Sequence, residues 1–222
     1  MTAGFRLRSQ SIVRVHCARV PTALPERTIT RWIEALTDER GTTLARRLNR
    51  GAGMESLTGL ALLASLSSAC HLPPLGLLQW TNRGKPNFPN GPDFSITHSG
   101  GFAACAVAPR GMPIGIDMEP VNRARAVAVR LVAGNDERMA LDNGTVTATE
   151  LWTAKEAVLK AAGAGLTEIR GVFVRSDGAS FAGADFCWRS YRLNGGLLLA
   201  IATVGRFPAI RIRLPSPSAL FD

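Results

Sequence analysis

Two carboxylates interrupt the apolar segment "PIGIDMEP" at residues 113–120. The alternation predicts a strand, and Asp117 and Glu119 lie two positions apart, so their side chains leave the same face. Neighbouring carboxylates repel each other unless a cation lies between them, and Mg²⁺ commonly binds one or two carboxylates together with phosphate oxygens and water. The segment therefore indicates a magnesium site; the alternative is an edge strand with two acids on its solvated side.

A second segment, "LWTAKEAVLKAAGAG" at residues 151–165, has the pattern of a helix with charges in its middle. Trp152, Glu156 and Lys160 are spaced i, i+4 and i+8 and therefore share one face, and Lys155 lies beside that face. Such a face is suited to a site. The alternative is a solvated face on which Glu156 and Lys160 form an ordinary helix-stabilising pair, worth about 0.2–0.5 kcal/mol.

A third segment, "FSITHSGG" at residues 94–101, predicts a strand that ends in a tight hairpin. His98 and Ser99 stand at its tip beside two glycines, where backbone amides can approach an anion. Lys85 precedes this segment in a Gly-Lys-Pro loop. The tip and the lysine suit a phosphate, although a lone histidine is more often structural.

The order of predicted elements repeats along the chain. A strand at 11–20 is followed by helices and by the hairpin strands, and then the strand at 113–120 opens the same order again. This repetition predicts an α/β fold built from two similar halves, residues 1–112 and 113–222. The final segment, 215–222, is predicted to be a loose tail.

Several residues have the pattern of helix ends. Thr147 and Glu150 fit a capping box before the charged helix, and Gly163 fits its end. Asn135 is predicted to cap a short helix. Gly41 is predicted to divide a long helical segment into two pieces.

The composition predicts a cytoplasmic protein with a sizeable core. The 222 residues are 46% hydrophobic, and no apolar run approaches the roughly 18 residues of a membrane span. Residues 1–21 are basic and alternating, unlike a secretory signal. The four cysteines, Cys17, Cys70, Cys105 and Cys187, form no C-x-x-C pair, which argues against zinc and against a disulfide framework.

The formal net charge of +9 favours partners that carry negative charge. Nucleic acid, anionic lipid, a phosphorylated cofactor and an acidic protein all meet that description. The arginines are spread along the chain, and no basic block is interleaved with aromatic residues in the manner of single-strand binders. Charge alone is therefore a weak argument for nucleic-acid binding.

In combination, these segments resemble the 4′-phosphopantetheinyl transferase superfamily, in particular its larger branch that activates peptide and polyketide synthetases. The family pattern is (I/V)-G-(I/V)-D, a gap, and (F/W)-(S/T/C)-x-K-E-(A/S)-x-x-K. Residues 114–117 and 152–160 match every defined position, and G-K-P and I-T-H-S stand upstream. The resemblance covers about residues 32–205, and it implies a pseudo-two-fold pair of α/β halves.

The resemblance also implies a role for each matching residue. The implied magnesium ligands are Asp117, Glu119 and Glu156. The implied contacts with coenzyme A are made by Lys85, His98, Ser99, Asp117, Lys155 and Lys160, with Lys85 near the 3′-phosphate and no clear role for Lys155. The residues implied to act in the reaction are Glu156, Lys160 and Glu137.

The implied reaction is that of a holo-[acyl-carrier-protein] synthase. The phosphopantetheinyl arm of coenzyme A passes to a serine of an apo acyl or peptidyl carrier protein, and adenosine 3′,5′-bisphosphate is released. Mg²⁺, or Mn²⁺ in its place, and the lysines would neutralise the leaving bisphosphate. Glu137 is the best match for the base that takes the serine proton, with Asp136 beside it; the alternative for Glu137 is a first-turn acid of a short helix.

The partners follow from the same resemblance. Carrier proteins are usually acidic around the modified serine, so a basic surface would steer their approach. The expected protein is a monomer whose partners are carrier proteins and coenzyme A, without nucleic acid or a membrane.

One segment departs from the family pattern. Family members usually carry arginine in R-x-L-x-G-x-x-L-L-R, which helps to hold the 3′-phosphate, whereas this chain has Glu55 and Ala64 at the arginine positions. Glu55 would repel a phosphate. The arginines that would substitute are Arg40, Arg46, Arg47 and Arg50; otherwise the chain is a degenerate relative that binds coenzyme A or carriers with little transfer.

Overall fold

The structure is a computed structural model. It describes residues 12–36, 38–49, 53–121 and 126–221. The predicted absence of a secretory signal concerns residues 1–21, of which 1–11 lie outside the described part. Arg50 and the side chain of Arg40 also lie outside it.

The first half follows the predicted order of a strand, helices and a hairpin. Its elements are β1 (Ile12–Arg19), α1 (Glu26–Glu34), α2 (Asp38–Asn49), α3 (Met54–Ser65), α4 (Ser67–Cys70), β2 (Gln79–Trp80), β3 (Pro86–Asn87), β4 (Phe94–Ser99) and β5 (Phe102–Val107). The predicted hairpin tip is confirmed. Gly100 and Gly101, which join β4 to β5, have φ values of 59° and 78°, in a region that glycine adopts readily.

The second half begins with the strand that carries the two acids. Its elements are β6 (Ile114–Pro120), α5 (Ala126–Val132), α6 (Asn135–Asp142), α7 (Ala148–Ala162), β7 (Phe173–Arg175), β8 (Gly178–Phe181), β9 (Ala184–Leu193), β10 (Leu197–Val204), β11 (Ala209–Arg213) and α8 (Pro217–Phe221). The capping box at the start of α7 is confirmed, since Thr147 accepts from the Glu150 amide and Glu150 accepts from the Thr147 amide.

Two main sheets organise this mixed α and β chain. One has the order β11-β1-β5-β4 and the other β6-β10-β9-β8-β7. In each half the opening strand pairs antiparallel with a later strand, as in Val15↔Ala106 and Ile116↔Ile201. β11 crosses back to pair parallel with β1, so the C-terminal end of the chain completes the first sheet. A two-fold relation between the halves stays a prediction.

The sheets and helices stack in four layers. α3 covers one face of the first sheet, and α7 covers the outer face of the second. The inner faces of the sheets pack on each other through apolar side chains such as Val15, Ile116 and Leu199. No helix among the described residues is long and apolar enough to cross a membrane.

Gly115 lets α7 approach the backbone of β6 directly. A Cβ at this position would overlap the carbonyl oxygen of Ala157 and the amide nitrogen of Ala161. No side chain larger than hydrogen therefore fits between strand and helix. Asp117 points to the same side of β6 as Gly115, so this close approach also sets the distance between Asp117 and α7.

The prediction of a loose tail is wrong. Residues Pro217–Phe221 form α8, and both Leu220 and Phe221 are buried. Arg31 donates a hydrogen bond of 2.6 Å to the carbonyl oxygen of Phe221, whose ring meets Trp32 edge to face. The apolar pair at the end of the sequence outweighs the proline and serine residues before it.

Two predicted helix ends also differ from the structure. α2 continues through Gly41, and the break between α1 and α2 falls earlier in the chain. The glycine allows close contact with Ile33, since a Cβ at this position would lie 2.8 Å from the Ile33 carbonyl oxygen. Asn135 is the first residue of α6 rather than its cap. The cap is Gly134, whose amide donates to Glu137.

The close approach at Gly115 gives a stability prediction. Gly115→Ala is expected to lower the free energy of unfolding by about 3 kcal/mol, because the added methyl group meets main-chain atoms that cannot rotate aside. Urea unfolding followed by tryptophan fluorescence measures the change. Gly165→Ala is the control, since the nearest atom to its new Cβ lies 3.7 Å away and its φ is −94°. Equal losses in both variants would contradict the packing argument.

Candidate functional site

Side-chain hydrogen bonds connect β4 and β6, which are edge strands of the two sheets. β4 and β6 run in the same direction, and the Thr97 hydroxyl donates to Asp117 Oδ1 over 3.0 Å. One step along, the Ser99 hydroxyl donates to Glu119 Oε2 over 2.6 Å. The two predicted acids therefore lie where the halves meet, and each contacts a hydroxyl from the opposite half.

α7 adds a lysine and a third carboxylate to this junction. Lys160 Nζ lies 2.6 Å from Asp117 Oδ1 and 3.8 Å from Glu156 Oε2. The structure therefore brings Asp117, Glu156 and Lys160 together, although they come from segments about 40 residues apart in sequence. The face is not simply a solvated one, because Asp117 is buried and Glu156 is mostly buried.

Glu156 is held in an environment that disfavours its charge. Burial, followed by the negative charge of Asp117, raises the pKa of Glu156 to about 7, and Glu119 adds to the rise. The Lys160 ammonium and a hydrogen bond from Trp152 act in the opposite direction. The charges of Asp117 and Glu119 thus disfavour a charged Glu156, and an added positive charge beside Glu156 would stabilise its carboxylate.

Asp117 presents one oxygen without a partner. Its Oδ1 accepts from Thr97 and Lys160, whereas its Oδ2 is buried and has no hydrogen-bond partner among the described residues. An unsatisfied buried acceptor is unfavourable by about 1–3 kcal/mol. A hard cation that prefers carboxylate oxygen would satisfy it.

The predicted set of three magnesium ligands is not preformed. In the part of the chain that the structure describes, no three His, Cys, Asp or Glu side chains converge into a metal site. Lys160 lies between Asp117 and Glu156, and Glu119 is bonded to Ser99. Mg²⁺ usually takes only one or two protein carboxylates and keeps several waters, so the oxygens of Asp117 and Glu156 fit such an ion.

His98 faces Glu55 rather than an open anion site. Its Nδ1 lies 3.6 Å from Glu55 Oε2, and the two side chains are 42% and 46% exposed. The separation is too long for a hydrogen bond, and an exposed ion pair contributes little to stability. The departure from the family pattern at Glu55 is therefore located directly beside a predicted phosphate-binding residue.

Lys85 forms an ion pair and a hydrogen bond near the first residue of β6, away from the acidic cluster. Its ammonium lies 3.1 Å from Asp93 and donates over 3.3 Å to the carbonyl oxygen of Ile114. Ile114 opens the strand that carries Asp117 three residues later, about 10 Å along a strand. Arg46, one of the proposed substitutes for the missing arginine, lines a groove between α1 and α2.

Glu137 and Lys155 form an ion pair in the interior. Lys155 Nζ lies 2.8 Å from Glu137 Oε2 and also donates to the carbonyl oxygen of Val172. Glu137 accepts from the amides of Gly134 and Val174, both over 2.7 Å. Burial lowers the pKa of Lys155, and the hydrogen bond and charge of Glu137 partly restore it.

This ion pair bears on two predicted roles. Glu137 is only 3% exposed and both of its oxygens are bonded, so it is poorly placed to take a proton from another protein. Lys155 is fully buried and its ammonium is paired with Glu137, so it is not exposed to a ligand in this structure. The neighbouring Asp136 is exposed, in the first turn of α6. The alternative reading of Glu137, a first-turn acid of a short helix, is confirmed.

Sequence reasoning missed the hydroxyl row on β4. Ser95 accepts from the Ile116 amide over 3.1 Å, and Thr97 and Ser99 follow at the two-residue spacing of one strand face. All three are buried. The alternating S-x-T-x-S pattern was the available signal, because buried hydroxyls need partners.

Comparison with known proteins supports part of the resemblance. Residues 113–201 match the family model of the 4′-phosphopantetheinyl transferase superfamily. The match runs from the start of β6 into β10 and includes Asp117, Glu156 and Lys160. Lys85, His98 and Ser99 lie outside it. No curated protein matches the chain.

The buried ion pair gives a second stability prediction. Glu137→Gln is expected to lower the free energy of unfolding by about 3–5 kcal/mol, because the buried Lys155 ammonium loses its anionic partner. The double variant Glu137→Gln with Lys155→Met should lose less, since no buried charge remains. Chemical denaturation measures both. Asp185→Asn, in an exposed pair with Arg175, is the control; a loss no larger than that of the control would overturn the assignment.

The raised pKa of Glu156 predicts a pH dependence of stability. Between about pH 4.5 and 7 the folded protein binds more protons than the unfolded chain, so the free energy of unfolding falls as pH rises, by roughly 1–3 kcal/mol. Glu156→Gln should remove this part of the slope. Denaturation of the metal-free protein at several pH values tests it, and identical slopes for the variant and the wild type would refute it.

Proposed function

We propose that this chain transfers the 4′-phosphopantetheine arm of coenzyme A to a serine of an apo carrier protein. The observation that carries the proposal is the Asp117–Lys160–Glu156 cluster, in which one buried carboxylate oxygen has no partner among the described residues. The family match over residues 113–201 supports phosphopantetheine transfer in general. The carrier, the metal and the bisphosphate product belong to the proposal.

The site suits a diphosphate that is bound together with a divalent cation. Asp117 and Glu156 would hold Mg²⁺ or Mn²⁺, with Glu119 beside them, and the ion would supply Lewis-acid stabilisation of the diphosphate when bound. Lys160 places its ammonium group at the same carboxylates, 2.6 Å from Asp117 Oδ1. Its charge would neutralise oxygens on the leaving bisphosphate.

The first half would contact the rest of coenzyme A. Ser99 lies on the β4 tip and bonds to Glu119, whereas the His98 side chain leaves the other face of β4, towards Glu55. Both remain the proposed phosphate contacts. Lys85 remains the proposed contact for the 3′-phosphate, but it would have to exchange its Asp93 partner for the ligand. The serine proton must pass to a base, and we do not assign that role to Glu137 because it is buried and fully bonded.

The partner chemistry follows from charge. With a formal net charge of +9, the surface attracts an acidic protein from solution, in a manner that salt weakens. We propose acidic carrier domains of fatty-acid, polyketide or nonribosomal-peptide synthesis as acceptors. We also propose that the protein acts as a monomer in the cytoplasm.

A second candidate function rests on Glu55. Its carboxylate lies 3.6 Å from His98 Nδ1, and its negative charge disfavours a phosphate beside that histidine. A degenerate relative would bind coenzyme A or a carrier and transfer little. Calorimetric titration with coenzyme A separates the two: binding without any gain of carrier mass supports the second candidate.

Transfer itself is tested with a panel of apo carriers. Incubation with coenzyme A and Mg²⁺ is expected to add about 340 Da to a carrier, the mass of the attached arm. Intact-protein mass spectrometry measures the gain. If carriers of several types keep their original mass, the proposed function fails.

The cluster is tested by removing single charges. Asp117→Asn and Glu156→Gln are each expected to reduce transfer by about 100-fold or more, because each removes an anionic ligand from the diphosphate site. Circular dichroism checks that both variants fold. Asp177→Asn, at an exposed position, is the matched control and should transfer normally. If either variant kept full activity, the carboxylate that it lacks would have no role in transfer.

A further inference from the structure

A buried threonine hydroxyl contacts both the lysine and the carboxylate of the cluster. Thr97 Oγ1 is 3.0 Å from Asp117 Oδ1 and 3.4 Å from Lys160 Nζ. Thr97 and Asp117 are each only 4% exposed. A hydroxyl has one proton to donate, and Lys160 can only donate. The contact with Lys160 therefore directs the Thr97 proton towards Asp117.

These contacts determine which Asp117 oxygen is left open. Both donors, Thr97 and Lys160, meet Oδ1, and Oδ2 has no partner among the described residues. With two donors on a single oxygen, the plane of the carboxylate is fixed. With Lys160 alone, the carboxylate could turn so that the flexible ammonium meets both oxygens.

We propose that Thr97 is a positioning residue that holds Asp117 so that Oδ2 is presented to a divalent cation. This inference rests on the proposed function, in which Asp117 is a ligand of Mg²⁺ or Mn²⁺. Thr97 touches neither the metal nor the substrate in this role. It acts by preventing Lys160 from taking both oxygens of the carboxylate.

Two other hydroxyls on β4 also form hydrogen bonds with groups on β6. Ser99 donates to Glu119 over 2.6 Å, and Ser95 accepts from the Ile116 amide over 3.1 Å. One strand of the first half thus orients the acidic strand of the second. The family match covers the acids and omits this strand, so the orienting hydroxyls lie in the unmatched half.

The test measures Mn²⁺ binding directly. The full chain is titrated with Mn²⁺ in the presence of coenzyme A, and free Mn²⁺ is followed by electron paramagnetic resonance. Thr97→Val is expected to raise the dissociation constant by about 10–100-fold, as other outer-shell hydrogen-bond partners of metal ligands do. Thr97→Ser restores the hydroxyl and should bind as the wild type does. Thr97→Ala is the second variant if valine disturbs folding.

Thr203→Val is the matched control. Thr203 is another fully buried threonine, and its hydroxyl donates over 2.7 Å to the carbonyl oxygen of Pro113, just before β6. Its loss should lower the melting temperature about as much as Thr97→Val and leave Mn²⁺ binding unchanged.

Each outcome bears on the proposal. Unchanged Mn²⁺ binding in Thr97→Val and Thr97→Ala, or equal weakening in Thr203→Val, would overturn the positioning role and leave the proposed function standing. If the wild type itself binds no Mn²⁺, the metal assignment in the proposed function fails and the positioning role fails with it.

Discussion

The Asp117 carboxylate is buried where two sheets meet, and the organisation of the site depends on how its charge is held. A buried charge is unfavourable unless it is paired and hydrogen-bonded. Asp117 obtains both, from Lys160 on the covering helix and from Thr97 on the opposite sheet. The contact therefore needs β4, β6 and α7 to be in place at once.

The position of α7 is set by packing and by a second buried charge. Gly115 allows the helix to lie directly on β6, and a side chain there would meet the carbonyl oxygen of Ala157 and the amide nitrogen of Ala161 on successive turns of α7. Lys155 extends from the same helix into the interior and is held by Glu137 on α6. One helix therefore carries an interior lysine that fixes it and, five residues later, a lysine that reaches the site.

The neighbourhood of Glu156 shows why these groups suit a charged ligand. Burial and the neighbouring charge of Asp117 raise the pKa of Glu156 to about 7, even though the Lys160 ammonium lies close to both carboxylates. The positive charge near Glu156 therefore does not offset its burial and the charge of Asp117. A divalent cation that arrives with a diphosphate would add positive charge at the carboxylates and place the phosphate charge beside Lys160.

The sequence predicted the parts of the fold and site that depend on local pattern. Strand alternation gave β6 with Asp117 and Glu119 on one face, and the capping box gave the start of α7. The spacing of Glu156 and Lys160 predicted their shared face. Local pattern could not show that Glu137 turns inward to Lys155, because a first-turn acid looks the same whether it is buried or exposed.

The other differences between the predicted and the observed fold result from contacts between residues far apart in sequence. α8 forms because Phe221 finds Trp32 and Arg31, which lie nearly 200 residues earlier in the chain. β11 pairs with β1, although the two strands lie almost the whole sequence apart. The first sheet therefore contains a strand from beyond the predicted boundary near residue 112. The hydroxyl row on β4 could not be interpreted from sequence, because its hydrogen-bond partners lie on β6, the edge strand beside it.

The central claim is that Asp117 and Glu156 jointly hold a divalent cation beside Lys160. Crystals grown with coenzyme A and Mn²⁺, with diffraction data collected at a wavelength where manganese scatters anomalously, would locate the ion directly. The expected result is an anomalous peak in contact with Asp117 Oδ2 and a Glu156 oxygen. A peak bound elsewhere on the chain, or bound coenzyme A with no peak at these carboxylates, would contradict the claim.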